Sequence, residues 1–118
     1  MWRDVELPLF RGYLFCQFDA ERRLPILQTP GVLQIVGFSG TPVAIEDHEI
    51  DSVRRICDSP SAFRPFPFYC VDQRVRIVRG PLAGVEGSII DSKRPSLVVS
   101  VSLLHRSVEV ELDMDWVR

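Results

Sequence analysis

Apolar and charged side chains alternate strictly in Val75-Arg76-Ile77 and again in Val108-Glu109-Val110-Glu111-Leu112. A period of two sends one face of a chain into a core and the other into water, so both stretches predict half-buried strands. Residues 85–91 and 97–103 predict two more. The breaks between these strands fall at Gly80-Pro81, Lys93-Arg94-Pro95 and His105-Arg106. Four or five short strands within about 50 residues can bury one core by curling into a small barrel, which also removes the exposed edges.

The first half of the chain is less regular. Gly12-Tyr13-Leu14-Phe15-Cys16-Gln17-Phe18 is rich in aromatic residues and bounded by Gly12 and Asp19, the pattern of a buried strand. Residues 20–29 predict a short helix that Pro25 interrupts, and residues 32–36 a second strand, followed by turn signals at Gly37, Ser39-Gly40 and Pro42. The clearest helix covers residues 46–57. Ile50, Val53, Ile56 and Cys57 share one face there, Glu46 and Asp47 occupy the first turn and Arg54 and Arg55 the last, as the helix dipole prefers. Such a helix packs on a sheet by one side. Residues 59–67 hold three of the chain's nine prolines and read as a linker.

Composition narrows the function classes. The 118 residues are 46% hydrophobic and 25% charged, as in an ordinary folded domain or two small ones. Fourteen basic side chains face sixteen acidic ones, for a formal charge of −2, whereas a protein that binds nucleic acid by neutralising phosphates is clearly basic. Any nucleic-acid contact is expected to be weak or indirect. Arg74, Arg76 and Arg79 could line a basic strip for RNA or polymerase, but Asp72, Glu86 and Asp91 can neutralise it, and a solvated outer face is the favoured alternative. The longest apolar runs, Tyr13-Leu14-Phe15-Cys16 and Phe68-Tyr69-Cys70-Val71, fall far short of the roughly 20 residues needed to cross a bilayer, so a cytoplasmic protein without a membrane span is expected. Cys16, Cys57 and Cys70 are widely spaced beside apolar residues and read as buried thiols. His48 reads as a solvent-facing helix residue, and neither it nor His105 has thiols at metal-ligand spacing. No nucleophile–base pair or carboxylate pair argues for catalysis, so no enzyme, cofactor or metal is expected.

The sequence Val75-Arg76-Ile77-Val78-Arg79-Gly80-Pro81-Leu82-Ala83-Gly84-Val85-Glu86-Gly87-Ser88-Ile89 resembles the KOW motif, a strand, a Gly-Pro turn, a small apolar loop and a returning strand. The physical chemistry agrees with it: Gly80 and Gly84 suit turns with positive φ, and Gly87 permits a bulge or a close backbone approach. Residues 97–112 resemble the closing hairpin of the NusG carboxy-terminal domain, and Pro8-Leu9-Phe10-Arg11-Gly12-Tyr13-Leu14-Phe15 resembles a strand of the NusG amino-terminal (NGN) domain. Together these stretches cover most of the chain.

The resemblance to the NusG family implies an α+β protein. An NGN-type antiparallel α/β sandwich over residues 1–58, lacking its usual amino-terminal strand and helix, would be joined by the proline-rich linker 59–67 to a small SH3-like KOW β-barrel over 68–118. It implies a transcription elongation or antitermination factor. Phe10 and Tyr13 match positions that help form the polymerase-facing apolar surface, with packing in the core as the plain alternative. Gly80, Pro81, Gly84 and Gly87 match the structural KOW motif. Leu103, Leu104, His105 and Arg106 match the hairpin tip through which the KOW domain takes a second partner, a small-subunit ribosomal protein or Rho. Where the family commonly has an aromatic residue followed by glycine, this chain has Leu104-His105, which points to an operon-specialised paralogue as readily as to the general factor. An incomplete NGN sheet would leave an apolar face and an open edge, so the expectation is self-association, as a homodimer or larger species, or else a misassigned or incomplete start of the sequence. The competing class is a KOW-containing ribosome-associated or RNA-binding module, which would ordinarily be strongly basic.

Overall fold

A computed structural model describes residues 8–68, 74–90 and 94–117. The chain is α+β, and its packing separates into two units: Gly12–Ala44, and Ile45–Arg118 together with the described residues up to Arg11.

The larger unit is built on a five-stranded antiparallel sheet. In chain order its elements are the helix Asp47–Asp58 and the strands Phe63–Phe66, Arg74–Arg76, Glu86–Ile90, Ser96–Val101 and Arg106–Glu111. With the smaller unit's elements, given below, counted first in chain order, these are α2 and β3 to β7. The sheet order is β3-β7-β6-β5-β4. The four strands expected within residues 75–112 all form. In the central β6, Leu97, Val98, Val99 and Val101 are all buried, so this strand is enclosed on both faces. With Ile77, Leu82, Val85, Val108 and Val110 they make the core. Ser100 and Ser107, directly opposite in the β6–β7 register, satisfy each other through a 2.7 Å hydroxyl–hydroxyl bond.

The segment expected to be a linker contains β3, which pairs with β7 from Phe63↔Val110 to Phe66↔Ser107. Its prolines permit this because of their phase. The Glu111 N–H donates to the Ala62 carbonyl, so even-numbered residues of this stretch turn their backbone groups toward β7 and odd-numbered ones turn theirs away. Pro65 and Pro67 therefore fall where no donor is required. Proline at an outward position also removes an edge donor that another chain could use. Across this pair Arg64 binds Glu109, which holds the guanidinium's pKa above its ordinary value.

α2 belongs with this sheet instead of with the residues before it, so the packing boundary falls at Ala44/Ile45 and not after residue 58. Val53 and Ile56 are its buried side chains, each worth about 1.5–3 kcal/mol of transfer free energy. At roughly 100° per residue the inward direction runs between these two, and Glu49 falls on it while Ile50 and Cys57 lie to one flank. Two polar contacts fasten the ends of the helix. Glu49 accepts hydrogen bonds from the Ser102 N–H at 3.0 Å and the Ser102 hydroxyl at 3.2 Å. Arg55 donates to the carbonyls of Ala83 at 2.6 Å and Pro81 at 3.0 Å.

The expectation of buried cysteines is corrected: Cys57 and Cys16 are exposed. Ile56 takes the inward place beside Cys57, although partial burial and the neighbouring Asp58 still push the Cys57 thiol's pKa up. Cys70 lies outside the described residues.

The smaller unit has little regular structure. Residues 20–29 give a turn of 3-10 helix at Ala20–Arg22, capped by the Asp19 carboxylate, and a one-turn α-helix, α1, at Leu24–Leu27. Pro25 sits in the first turn of α1, where its missing N–H costs nothing, and the Thr29 hydroxyl closes back onto the Pro25 carbonyl at 2.9 Å. The strands expected over 12–18 and 32–36 do not form. A strand requires a neighbour for its N–H and C=O groups; among the described residues no ladder pairing reaches 12–18, and 32–36 is met only at its end, where the Val36 carbonyl accepts the Val43 N–H at 3.3 Å. The ladder in this unit is the two-residue pair of β1 (Gly37–Phe38) and β2 (Thr41–Pro42).

Candidate interaction surfaces

The Gly-Pro loop between β4 and β5 is a packed turn. Ala83 N–H bonds back to the Gly80 carbonyl at 3.2 Å, Gly84 N–H to Ile77 at 2.7 Å and Val85 N–H to Leu82 at 3.0 Å, while the Leu82 side chain is fully buried. Gly80 has φ 85°, and a Cβ there would lie 2.8 Å from the Trp116 ring. That indole belongs to the C-terminal 3-10 turn Met114–Val117, and the Trp116 carbonyl accepts the Val78 N–H at 2.6 Å. Gly80 is thus demanded twice, by backbone conformation and by the ring lying on it. Gly80→Ala is expected to cost about 2 kcal/mol, from left-handed strain plus displacement of the ring, read as a lower urea midpoint and a shift in tryptophan emission. An unchanged midpoint would show that the contact carries no weight.

Gly87 serves a different need. It pairs with Val75, and a Cβ at this position would run into the Val98 carbonyl oxygen of β6, with Leu97 Cγ at 3.1 Å. Its φ is unexceptional, so the restriction is a close approach of two backbones.

The β6–β7 hairpin tip consists of a 3-10 turn, Ser102–Leu104, followed by His105 in the left-handed region at φ 50°, ψ 41°. His105 N–H donates to the Ser102 carbonyl at 3.2 Å, and the register resumes at Val101↔Arg106. Within the tip the four candidate residues divide. Leu104 is folded into the core at 6% exposure, Leu103 is half-buried, and His105 and Arg106 are exposed. The Arg106 guanidinium lies over the carbonyls of Leu104 and His105, at 3.4 and 3.3 Å.

Phe10 and Tyr13, three residues apart, have different surroundings. Phe10 is buried at 4% exposure in the larger unit, whereas Tyr13 is half-buried in the smaller one. The smaller unit also displays Leu33 at 96% exposure, Leu14 at 90% and Phe38 at 76%, with Leu24 and Leu27 exposed as well. Several large apolar side chains outside water-excluding contacts in so short a segment are characteristic of a surface that meets another molecule.

Arg74, Arg76 and Arg79 are all exposed, and Arg74 faces Glu86 at 3.8 Å. Arg74 and Arg76 line an open concavity of about 340 Å³ with His48, Glu49 and Ser52 of α2 and Glu86 of β5, so two carboxylates match the two guanidinium charges. Among the described residues there is no group of three or more His, Cys, Asp or Glu side chains placed to hold a metal ion, and no helix long and apolar enough to cross a membrane.

Sequence reasoning did not find Glu49, Arg55 or Trp116. Glu49 and Arg55 sit where the helix dipole alone would place an acid and a base, so composition gave no sign of their second use. Trp116 left no signal except the glycine that makes room for it.

A family model described as transcription termination factor nusG matches residues 1–54. The transcription termination/antitermination protein NusG of Escherichia coli (strain K12) is 32% identical over 125 residues, covering 98% of this chain and 67% of that protein. The protein of the same name from Vibrio vulnificus (strain CMCP6) is 32% identical over 121 residues, covering 98% of this chain and 66% of that protein. Its namesake from Pseudomonas aeruginosa is 28% identical over 121 residues, covering 98% and 68%. The chain therefore spans about two thirds of the length of the curated relatives it matches. No solved structure gives a significant match.

Proposed function

Because the chain belongs to the NusG family, we propose that it is a transcription elongation and antitermination factor that works by binding alone. In this reading the smaller unit contacts RNA polymerase, with Tyr13 and the exposed Leu14, Leu33 and Phe38 as its apolar surface. Phe10, buried in the larger unit, is not part of that surface. The C-terminal sheet acts as the small SH3-like KOW barrel; the Trp116 carbonyl on the Val78 N–H supports closure at the β4 side. Its hairpin tip offers Leu103, His105 and Arg106 to a second partner, a small-subunit ribosomal protein or Rho. Holding two machines through one chain raises the local concentration of each at the other.

The observation that carries the polymerase contact is the cluster of exposed apolar side chains in residues 12–44. A pull-down of core polymerase with the full chain and with Tyr13→Ala tests it. An aromatic anchor at an interface is typically worth 1–2 kcal/mol, so affinity should fall about tenfold and recovery near the wild-type dissociation constant about fivefold. Equal recovery would remove Tyr13 from the contact. Gel filtration over a range of concentrations, run alongside, separates this use of the surface from self-association.

The His105 position supports a specialised paralogue over the general factor. A residue at φ 50° is most comfortable as glycine or asparagine, and an imidazole held there adds a ring and two nitrogens to whatever meets the tip.

A further inference from the structure

The hairpin tip is a short turn with a strained end. Turns of 3-10 helix have poorer hydrogen-bond geometry than α-helix, and a left-handed histidine costs roughly 1 kcal/mol relative to a relaxed backbone. Across the turn the His105 N–H donates to the Ser102 carbonyl. The first N–H of any helical turn lacks a partner within the turn, and the residue before this one, Val101, has no side chain able to supply an acceptor. The acceptor comes from 53 residues earlier: the Glu49 carboxylate takes both the Ser102 N–H and the Ser102 hydroxyl. An anionic acceptor at the start of a helical turn is the favoured arrangement. Glu49 is itself fixed, because Val53 and Ile56 bury the same side of α2 and Arg55 ties the far end to the Gly-Pro loop.

We infer that Glu49 is a positioning residue for the β6–β7 tip: by capping Ser102 from α2 it holds the turn in the shape that sends Leu104 inward and presents Leu103, His105 and Arg106 to a protein partner. This rests on reading the tip as the second partner's surface. A tip that is already ordered binds without the cost of ordering it, so loss of the cap weakens binding although Glu49 does not touch the partner.

The test uses the full chain as wild type, Glu49→Ala, Glu49→Gln and Ser102→Ala. Amide hydrogen exchange is followed at Ser102, at Leu103 and, as an internal reference, at Val98, and affinity is measured for purified Rho and for isolated small ribosomal subunits. Glu49→Ala is expected to speed exchange at Ser102 about tenfold, the equivalent of one charge-assisted hydrogen bond, and to weaken the bound probe by roughly three- to tenfold. Exchange at Val98 stays as in the wild type. Glu49→Gln keeps one acceptor oxygen and should restore part of both effects, and Ser102→Ala, which retains the N–H, should show less than Glu49→Ala. Unchanged Ser102 exchange in Glu49→Ala overturns the inference, and so does an equal rise at Val98, which would mean general loss of stability. If Ser102 exchange rises and affinity does not fall, the turn is held but its shape does not govern binding, and the inference fails on that count. If the wild type binds neither probe, the reading of the tip as a partner surface fails and takes the affinity claim with it, while the exchange pattern still decides whether Glu49 holds the turn.

Discussion

Gly87→Ala should destabilise the chain by about 3 kcal/mol, although it adds a single methyl group. A β-carbon at this position meets the Val98 carbonyl oxygen and Leu97 Cγ across the β5–β6 ladder. A flexible side chain could swing aside, but Val98 is held by Ser88↔Val98 on one side of β6 and Val98↔Glu109 on the other. Relief therefore requires parting two strands at the centre of the sheet. Against this stands a gain of about 0.5–1 kcal/mol from restricting the unfolded chain, too small to reverse the sign. Gly40→Ala is the matched control: it has open space around it but φ 79°, so its cost of about 1 kcal/mol is conformational alone. Urea denaturation of both variants gives the comparison. A Gly87→Ala midpoint equal to that of the wild type would mean that the strands separate freely.

The parts of the fold that were legible are those where one local pattern decides the outcome. Alternation in 75–77 and 108–112 marks strands because β4 and β7 each have one face in the core, and the period of the α2 segment marks a helix with Val53 and Ile56 inside. Two failures share a cause. The aromatic run at 12–18 has strong strand propensity, and the proline-rich run at 59–67 has almost none, yet β3 forms in the second and no strand in the first. Pairing decided both cases. β3 has β7 beside it with prolines in the tolerated phase, while residues 12–18 have no ladder neighbour among the described residues. At the candidate surfaces, Gly80 and Gly84 were legible because a left-handed turn is a local need, whereas Gly87 answers to the neighbouring strand and was legible only through the motif that holds it. The division of the tip into an inward Leu104 and an outward His105 was not, since it follows from a left-handed backbone at one residue. The links from α2 to Ser102, Pro81 and Ala83 join side chains to backbone across long separations, and no periodicity encodes them.

Those links make α2 part of the sheet's folding unit, and Ile56→Ala tests this most severely. Ile56 is fully buried, so the substitution removes three carbons from a site closed on all sides and leaves a cavity that the surroundings fill only in part. The expected loss is about 3–4 kcal/mol, a large share of the 5–15 kcal/mol that holds a typical domain together. Cys57→Ala, one position along on the exposed flank, should change stability by no more than about 0.5 kcal/mol. The form of the transition matters as much as its midpoint. If α2 and the sheet fold together, far-ultraviolet circular dichroism and tryptophan emission will report one shared midpoint, which moves for both probes in Ile56→Ala. Loss of helical signal ahead of an unmoved sheet transition would place α2 outside the unit. Glu49 would then lack the fixed support from which it holds Ser102.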